Sequence, residues 1–316
     1  MSGPRVTHMT SGAYAPPAPA RELTVPSTDD ARLYVEVHGP QDAPAVVLSH
    51  GWTCSTAFWA AQIRELAGDH RVIVYDQRGH GRSPASPVCT TRALADDLEA
   101  VLAATLTDGE QALIAGHSMG GMTIMAAAER PRFRAHAAAV LLASTGSSRL
   151  VAEARVLPLR EGPLRTRLSA GVLGSRAPLG PVTPLAKRIL KYGTMGARST
   201  PEMVEACARI VHGCPTGARH AWSQVLASLD LDHGVRRLDM PTAVLHGTAD
   251  RLVPPVHAHA LVAELPRCAG LTELPGAGHM TPVEEPERVT GRIRDLVSTY
   301  VTGAGEPAPQ PIKEGA

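Results

Sequence analysis

Aromatic residues make up only 3% of this chain of 316 residues, so aliphatic side chains must build its core. Cysteine is also rare: the five cysteines are scattered, odd in number and never spaced as C-x-x-C, which argues against a disulfide framework or a zinc knuckle. Neither sign of charge is in excess, with 31 Lys and Arg against 30 Asp and Glu, so we expect no nucleic-acid partner. Long hydrophobic runs are missing too, because the longest, Ala137–Ala143, is too short to span a bilayer.

The two ends of the chain differ from the rest in composition. Residues 1–20 and 302–316 are rich in proline and are expected to form a disordered leader and a flexible tail. The first of these contains no unbroken apolar segment of the kind that a secretory signal needs. Together with the scattered cysteines, this favours a reducing compartment. We therefore expect a cytoplasmic protein without stable membrane insertion, either a monomer or a dimer.

Strand and helix patterns alternate between these ends. The first two strands, 22–26 and 32–38, flank an Asx-rich turn and predict an antiparallel hairpin. Six further short aliphatic runs are typical of strands buried on both faces: 45–49, 71–75, 112–115, 137–143, 242–246 and 271–274. Helical spacing follows in four stretches: 56–67, 91–105, 119–129 and 286–301. The alternation predicts an α/β fold with a mostly parallel central sheet of about eight strands and helices on both faces.

One long segment, 147–235, interrupts this alternation because it contains no convincing strand. Its more regular parts, 201–212 and 220–229, have helical spacing, and the whole is too long for a loop. We predict a helical lid over the carboxyl edge of the sheet, inserted into a core formed by residues 21–146 and 236–301. The lid is basic, with fourteen Lys and Arg against six Asp and Glu between residues 149 and 237. We favour a solvated arginine-rich face, and attraction of an anionic acyl group, carrier thioester or anionic surface is the alternative.

The strongest chemical signal is the segment Gly116-His117-Ser118-Met119-Gly120-Gly121. It follows a predicted apolar strand and opens a predicted helix, which is the context of a nucleophile elbow and not of a chance G-x-S-x-G. A tight turn of this kind pushes the Ser118 hydroxyl out of the sheet, and side chains at Gly116 or Gly120 would collide with it. Ser118 is therefore the candidate nucleophile.

A serine hydroxyl needs a base, and fourteen histidines compete for that role. His279 is preferred because it follows the last predicted strand, at the carboxyl edge and beside the elbow. Asp250 follows the preceding strand through Gly247-Thr248-Ala249 and is the candidate that orients the imidazole. Its alternative role is a helix N-cap. The H-x-H pair His257 and His259 could ligate a metal, but residues two apart on a helix do not share a face.

Two backbone amides are needed to stabilise an oxyanion. Met119 N–H, directly after the serine, is the first candidate. The second is Trp52 N–H, in the loop after the strand 45–49, where Gly51 allows a sharp bend. His50 is expected to fasten this loop by hydrogen bonding and not to act as a second base.

Taken together, these motifs resemble the α/β-hydrolase fold family, in particular its lidded esterase and lipase-like branch. The resemblance runs over roughly residues 25–300 and also includes the segment 76–83, a structural turn in the family. Relatives that open epoxides or remove halide use an aspartate nucleophile, so Ser118 implies attack on an acyl carbon. The implied activity is a serine hydrolase acting on a carboxylic ester, or a related acyl substrate, of small to medium apolar character, without metal or organic cofactor.

The triad does not distinguish leaving groups, so several functions stay open. A thioesterase, a lactonase, a C–C bond hydrolase and a cofactor-free perhydrolase use the same residues, and an acyltransferase would need a lid that excludes water. A non-catalytic ligand receptor on the same fold is a hypothesis from another class. It is disfavoured because no member of the triad is missing.

Overall fold

An eight-stranded sheet forms the centre of the protein in the computed structural model, which describes residue 9 and residues 11–303. Its strands lie in the order β1-β2-β4-β3-β5-β6-β7-β8. The hairpin β1-β2 and the pair β2-β4 are antiparallel, and all other neighbours are parallel. The strands are β1 (Arg21–Pro26), β2 (Arg32–His38), β3 (Ala45–Ser49), β4 (Arg71–Tyr75), β5 (Ala112–His117), β6 (Ala137–Ala143), β7 (Thr242–Gly247) and β8 (Cys268–Leu274). The predicted mostly parallel sheet is confirmed.

Helices connect the parallel strands and cover both faces of the sheet. Those of the sheet region are α1 (Ala60–Leu66, preceded by a 3-10 turn at Thr56–Trp59), α2 (Thr91–Thr105), α3 (Met119–Ala126) and α4 (Pro131–His136). After β7 they are α11 (Val256–Glu264), α12 (Thr281–Glu284) and α13 (Pro286–Leu296), which continues as a π-helical turn at Val297–Val301. Between β6 and β7 lie α5 (Leu150–Glu153), α6 (Pro163–Leu173), α7 (Pro184–Thr194), α8 (Pro201–Gly213), α9 (Thr216–Ala227) and α10 (Asp232–Val235). We call the helices α5–α9 the helical insert.

Alternate residues of each central strand point to opposite faces and build two separate cores. Val47, Ile73 and Ile114 pack beneath α2 and α3. Their neighbours Val46 and Val72 point the other way, towards α1 and α13. Because both faces are covered, these strands are apolar at nearly every position, which is why short aliphatic runs predicted them.

Some helix boundaries differ from the sequence prediction. The stretch predicted as one helix over 119–129 gives α3, which ends at Ala126, where the Ala127 amide donates to both Thr123 and Ile124 and tightens the last turn. The helix predicted over 220–229 runs from Thr216 to Ala227. The short helix α4 was not predicted from the sequence, since six residues between two strands carry little periodic signal.

The predicted leader and tail fall partly outside the described residues, which exclude 1–8, 10 and 304–316. Residues 11–20 contain no helix or strand, yet they contact the body of the protein. The Arg64 guanidinium donates to the carbonyl oxygens of Gly12 and Ala15, and the Tyr14 hydroxyl donates to that of Val283. Within the described range, no helix has both the length and the apolar character needed to cross a bilayer.

A buried ion pair fastens the turn after β4 to α2. The Arg78 guanidinium is fully buried and donates to both carboxylate oxygens of Asp97, at 2.6 and 2.7 Å. The same guanidinium also donates to the carbonyl oxygen of Val88. Both charges are buried away from water, so the charge of Arg78 is compensated mainly by that of Asp97, and the reverse.

Removing one member of this pair tests its contribution to stability. Asp97→Ala leaves the buried Arg78 charge with only a 3.4 Å contact to the partly exposed carboxylate of Asp29, so we expect a loss of up to about 3–5 kcal/mol in the free energy of unfolding by urea. Asp108→Ala, at a fully exposed carboxylate, is the matched control and should leave it unchanged. Equal effects of the two substitutions would contradict this account.

Candidate active site

Ser118 lies on a strained turn between β5 and α3. Its backbone angles are φ 51° and ψ −116°, a conformation that side chains rarely adopt and that costs on the order of 1–3 kcal/mol. Hydrogen bonds hold the turn: the Ser118 amide donates to the carbonyl oxygen of Ala143 at 2.9 Å, and the Thr145 hydroxyl donates to the Ser118 carbonyl at 2.8 Å. The predicted strand–turn–helix context of the elbow is thus present.

The glycines of the elbow allow backbone to lie against backbone. A Cβ atom on Gly120 would lie 2.1 Å from the carbonyl oxygen of Ser49, at the end of β3. A Cβ atom on Gly116 would lie 2.4 Å from the backbone of Gly120. Both distances are far below van der Waals contact, so no other residue fits without displacing the strand or the helix.

His279 and Asp250 meet at the same edge of the sheet although they come from different loops. His279 Nδ1 lies 2.7 Å from Asp250 Oδ2, and both side chains are buried. The other carboxylate oxygen of Asp250 accepts the amides of Leu252 and Val253, each at 2.9 Å. With Nδ1–H directed at the carboxylate, His279 Nε2 carries the lone pair that a general base needs.

Ser118 and His279 line one cavity. The hydrogen bonds of the described residues include none between these two side chains. Such bonds are often long in the absence of substrate and shorten when the reacting complex forms. The arrangement therefore brings His279 and Asp250 into contact and leaves Ser118 beside them, facing the same space.

The loop after β3 comes very close to the elbow. A Cβ atom on Gly51 would lie 3.1 Å from that of Ser118, which puts the next amide, Trp52 N–H, next to the serine. This amide has no hydrogen-bond acceptor among residues 11–303. Met119 is the first residue of α3, and such amides have no acceptor within their own helix. The Met119 and Trp52 amides, which follow Ser118 and Gly51 in the chain, are thus both without an acceptor among the described residues.

Histidines packed behind this loop are held neutral by burial. His50 Nδ1 donates to the Gly51 carbonyl at 2.8 Å while its Nε2 accepts the Gln77 amide at 3.0 Å, which is the pattern of an uncharged ring. Burial lowers the pKa of His50 to about 3 and that of His80 to about 4. It also lowers the pKa of His117, whose Nε2–H donates to the His279 carbonyl. These rings serve as hydrogen-bonding supports and not as proton acceptors at neutral pH.

The helical insert closes over this edge of the sheet and leaves a large cavity. Its volume is about 1010 Å³, and its wall combines Ser118, His279 and Trp52 with apolar side chains of α6 and α7. This volume is at the upper end of the range found for small-molecule sites. A second apolar recess of about 50 Å³ adjoins Ser118, with Met122 and Leu252 in its wall.

Two residues that sequence reasoning missed hold the His279 loop. The His279 amide donates to the carbonyl oxygen of Thr194, the last residue of α7, at 2.8 Å. The Glu284 carboxylate accepts the amides of Gly278 and Met280 on either side of His279, and also the Gly196 amide of the insert. No local pattern marks Thr194, and Glu284 was visible only as an acid five residues after the histidine.

The H-x-H pair proves to be divided between two environments. On α11, His257 is buried whereas His259 is exposed and lies 3.3 Å from Glu273. Among the residues that the structure describes, no cluster of three or more His, Cys, Asp or Glu side chains is arranged to hold a metal ion.

Comparison with known proteins agrees with this architecture. Residues 44–286 match the family model of the alpha/beta hydrolase fold. The chain belongs to the alpha/beta hydrolase fold family. The resemblance carried by the sequence motifs is thereby confirmed.

Individual members of the alpha/beta hydrolase family match over almost their full length. The chain is 28% identical to a pimeloyl-[acyl-carrier protein] methyl ester esterase of Xylella fastidiosa, over 84% of this chain and 99% of that protein. It is 27% identical to a bifunctional esterase/perhydrolase of Acinetobacter calcoaceticus, over 87% of this chain and 98% of that protein. Among solved structures, a thermophilic esterase from Thermogutta terrifontis aligns with a TM-score of 0.70 and 27% identity, covering 89% and 99% of the two chains.

Substitution of the elbow glycine tests the backbone contact. Gly120→Ala should destabilise the protein by about 1–3 kcal/mol or more, because the new methyl group meets the Ser49 carbonyl. Gly291→Ala is the matched control in α13, where no atom lies within 4 Å of the new Cβ, and it should stabilise by about 1 kcal/mol. Chemical denaturation measures both, and a neutral Gly120→Ala would show that the contact is not tight.

Acid should weaken the contribution of His50 to stability. Its folded pKa, about 3, lies below the unfolded value of 6.5, so the unfolded chain takes up a proton first as the pH falls. The contribution of this residue is fully present above pH 6.5 and declines below it, by at most about 1.4 kcal/mol per pH unit. The difference in unfolding free energy between wild type and His50→Asn should therefore shrink from pH 7 to pH 4. A constant difference would contradict the assignment of a neutral buried ring.

Proposed function

We propose that this protein is a serine hydrolase that cleaves carboxylic esters with an apolar acyl group through an acyl-enzyme intermediate. The observation that carries the proposal is the contact of His279 with Asp250 beside a strained Ser118, at the wall of one apolar cavity. The similarity to proteins named as esterases supports it.

In this mechanism, Ser118 Oγ attacks the carbonyl carbon of the ester while His279 Nε2 takes the hydroxyl proton. Asp250 keeps the imidazole in the required tautomer and stabilises the cation that forms. The amides of Trp52 and Met119 bind the oxyanion, and each such donor is worth about 3 kcal/mol of transition-state stabilisation. The alcohol leaves with the proton from His279. Water, deprotonated by the same ring, then releases the acid and frees Ser118.

Within this proposal the helical insert acts as the lid and determines the substrate. The large cavity has room for an apolar acyl or alcohol group, and the small recess beside Met122 takes a short one. Thr194 and the loop at Gly196 join the insert to the His279 loop, so the insert also supports the position of the base. We further propose a cytoplasmic location, which the five unpaired cysteines favour.

The nucleophile is tested with a series of p-nitrophenyl esters. Ser118→Ala should lower kcat/KM by about 10³-fold or more, because the covalent step is lost. Ser228→Ala, at the exposed serine that directly follows α9, is the control and should match the wild type. Equal activity of Ser118→Ala and wild type would refute the assignment.

The alternative functions are distinguished by assaying the wild type with other acyl substrates. A wild-type enzyme that hydrolyses thioesters or lactones but not esters would shift the proposal to those activities, and peracid formation from hydrogen peroxide would identify a perhydrolase. A protein that neither turns over any of these substrates nor reacts with a fluorophosphonate probe would be a ligand receptor on the same fold.

A further inference from the structure

Exposed large apolar side chains are concentrated in one segment of the chain. Nine such residues are exposed within the described range, and all but Val256 lie between residues 159 and 192. We call these eight residues the apolar patch: Leu159, Leu164, Leu168, Val172, Leu179, Leu185, Ile189 and Tyr192. Single exposed apolar residues are ordinary, but a cluster of this kind marks an interaction surface.

The patch consists mainly of one face from each of two helices. On α6, the residues Leu164, Leu168 and Val172 are four apart, and on α7 the residues Leu185 and Ile189 are four apart with Tyr192 three further on. Each set forms a stripe along its helix. Leu185 and Ile189 are 67% and 65% exposed, so these two side chains pack against little else in the described part of the chain. An apolar helix stripe of this kind normally faces a partner.

Unpaired positive charges lie in the same segment of the chain as the patch. Residues 154–201 contain nine Lys and Arg but a single acid, Glu161. Five of the arginines are exposed, and their side chains make no hydrogen bond or ion pair with any described residue: Arg155, Arg160, Arg167, Arg176 and Arg188. A partner that combines apolar groups with negative charge would complement both features of this segment.

The patch also surrounds the opening of the cavity. Five of its members belong to the cavity wall that includes Ser118 and His279: Leu164, Leu168, Val172, Leu179 and Ile189. Members of the patch thus share one cavity wall with the candidate nucleophile. Whatever covers the patch is in direct communication with the cavity.

We propose that the apolar patch docks the protein reversibly on an anionic lipid surface, from which an apolar substrate enters the cavity. Apolar residues beside arginines are the composition of surfaces that lie at the boundary between headgroups and acyl chains. Anionic headgroups would compensate the unpaired arginines. A second copy of this chain fits less well, because a symmetric contact would bring the arginines of both copies together.

Docking is tested by co-sedimentation of the full-length Ser118→Ala protein with vesicles, so that hydrolysis does not alter the lipid. We expect binding to vesicles of phosphatidylcholine and phosphatidylglycerol in equal parts, weak binding to phosphatidylcholine alone, and release at high salt. Adding Leu159→Ser with Leu185→Ser, or Arg160→Gln with Arg188→Gln, should weaken partitioning by about tenfold. The matched controls are Val256→Ser and the hairpin pair Arg21→Gln with Arg32→Gln, which should bind like the parent.

Three outcomes would overturn the proposal. The first is a parent protein that stays in the supernatant with both vesicles, and the second is patch variants that bind as well as the parent. The third is a change in the mass of the patch variants in solution, measured by sedimentation: the patch is then a contact between copies, and lipid docking is refuted.

Residues 159, 160, 185 and 188 are not in the cavity wall, so the same substitutions in the Ser118 protein should leave hydrolysis of a dissolved short ester unchanged. A wild-type protein that hydrolyses no ester would contradict the proposed function alone, since vesicle binding is measured without turnover.

Discussion

The close approach of backbone to backbone around Ser118 is the constraint on which the rest of the site depends. Gly116, Gly120 and Gly51 let β5, α3 and the loop after β3 meet at distances that no side chain would permit. The strained turn is held by bonds to Ala143 and Thr145, at the end of the next strand. Three adjacent strand ends therefore fix the serine and the two amides beside it. Strain of this kind persists only where the surrounding structure determines it from several sides.

The candidate base depends on a different set of contacts. His279 lies in a loop that is held from the core by Asp250 and from the insert by Thr194, while Glu284 binds the amides on both sides of it. Because the Glu284 carboxylate also binds Gly196, movement of the insert and movement of the histidine loop are physically linked. The insert thus contacts the loop of the candidate base as well as forming walls of the cavity.

The extent to which the sequence predicted this structure differs between its elements. The central strands were predicted almost to the residue, because burial on both faces leaves an unmistakable aliphatic run, as in Ala45–Ser49. The helix α6 was not predicted, because its apolar stripe faces the outside and the cavity and its surroundings are broken by glycine and proline. The buried pair of Arg78 with Asp97 was also missed, since two charges nineteen residues apart give no local pattern.

Local features, glycine spacing and strand ends, were enough to predict the succession of strands along the chain, the family and the candidates Ser118, Asp250 and His279. The contact of Asp250 with His279, the neutral state of His50 and the exposure of apolar residues of the insert became apparent only from the fold. The reason is that contact, burial and exposure are relations between distant segments. The chemistry of a residue is fixed by its side chain, but its protonation and its partners depend on what the fold places around it.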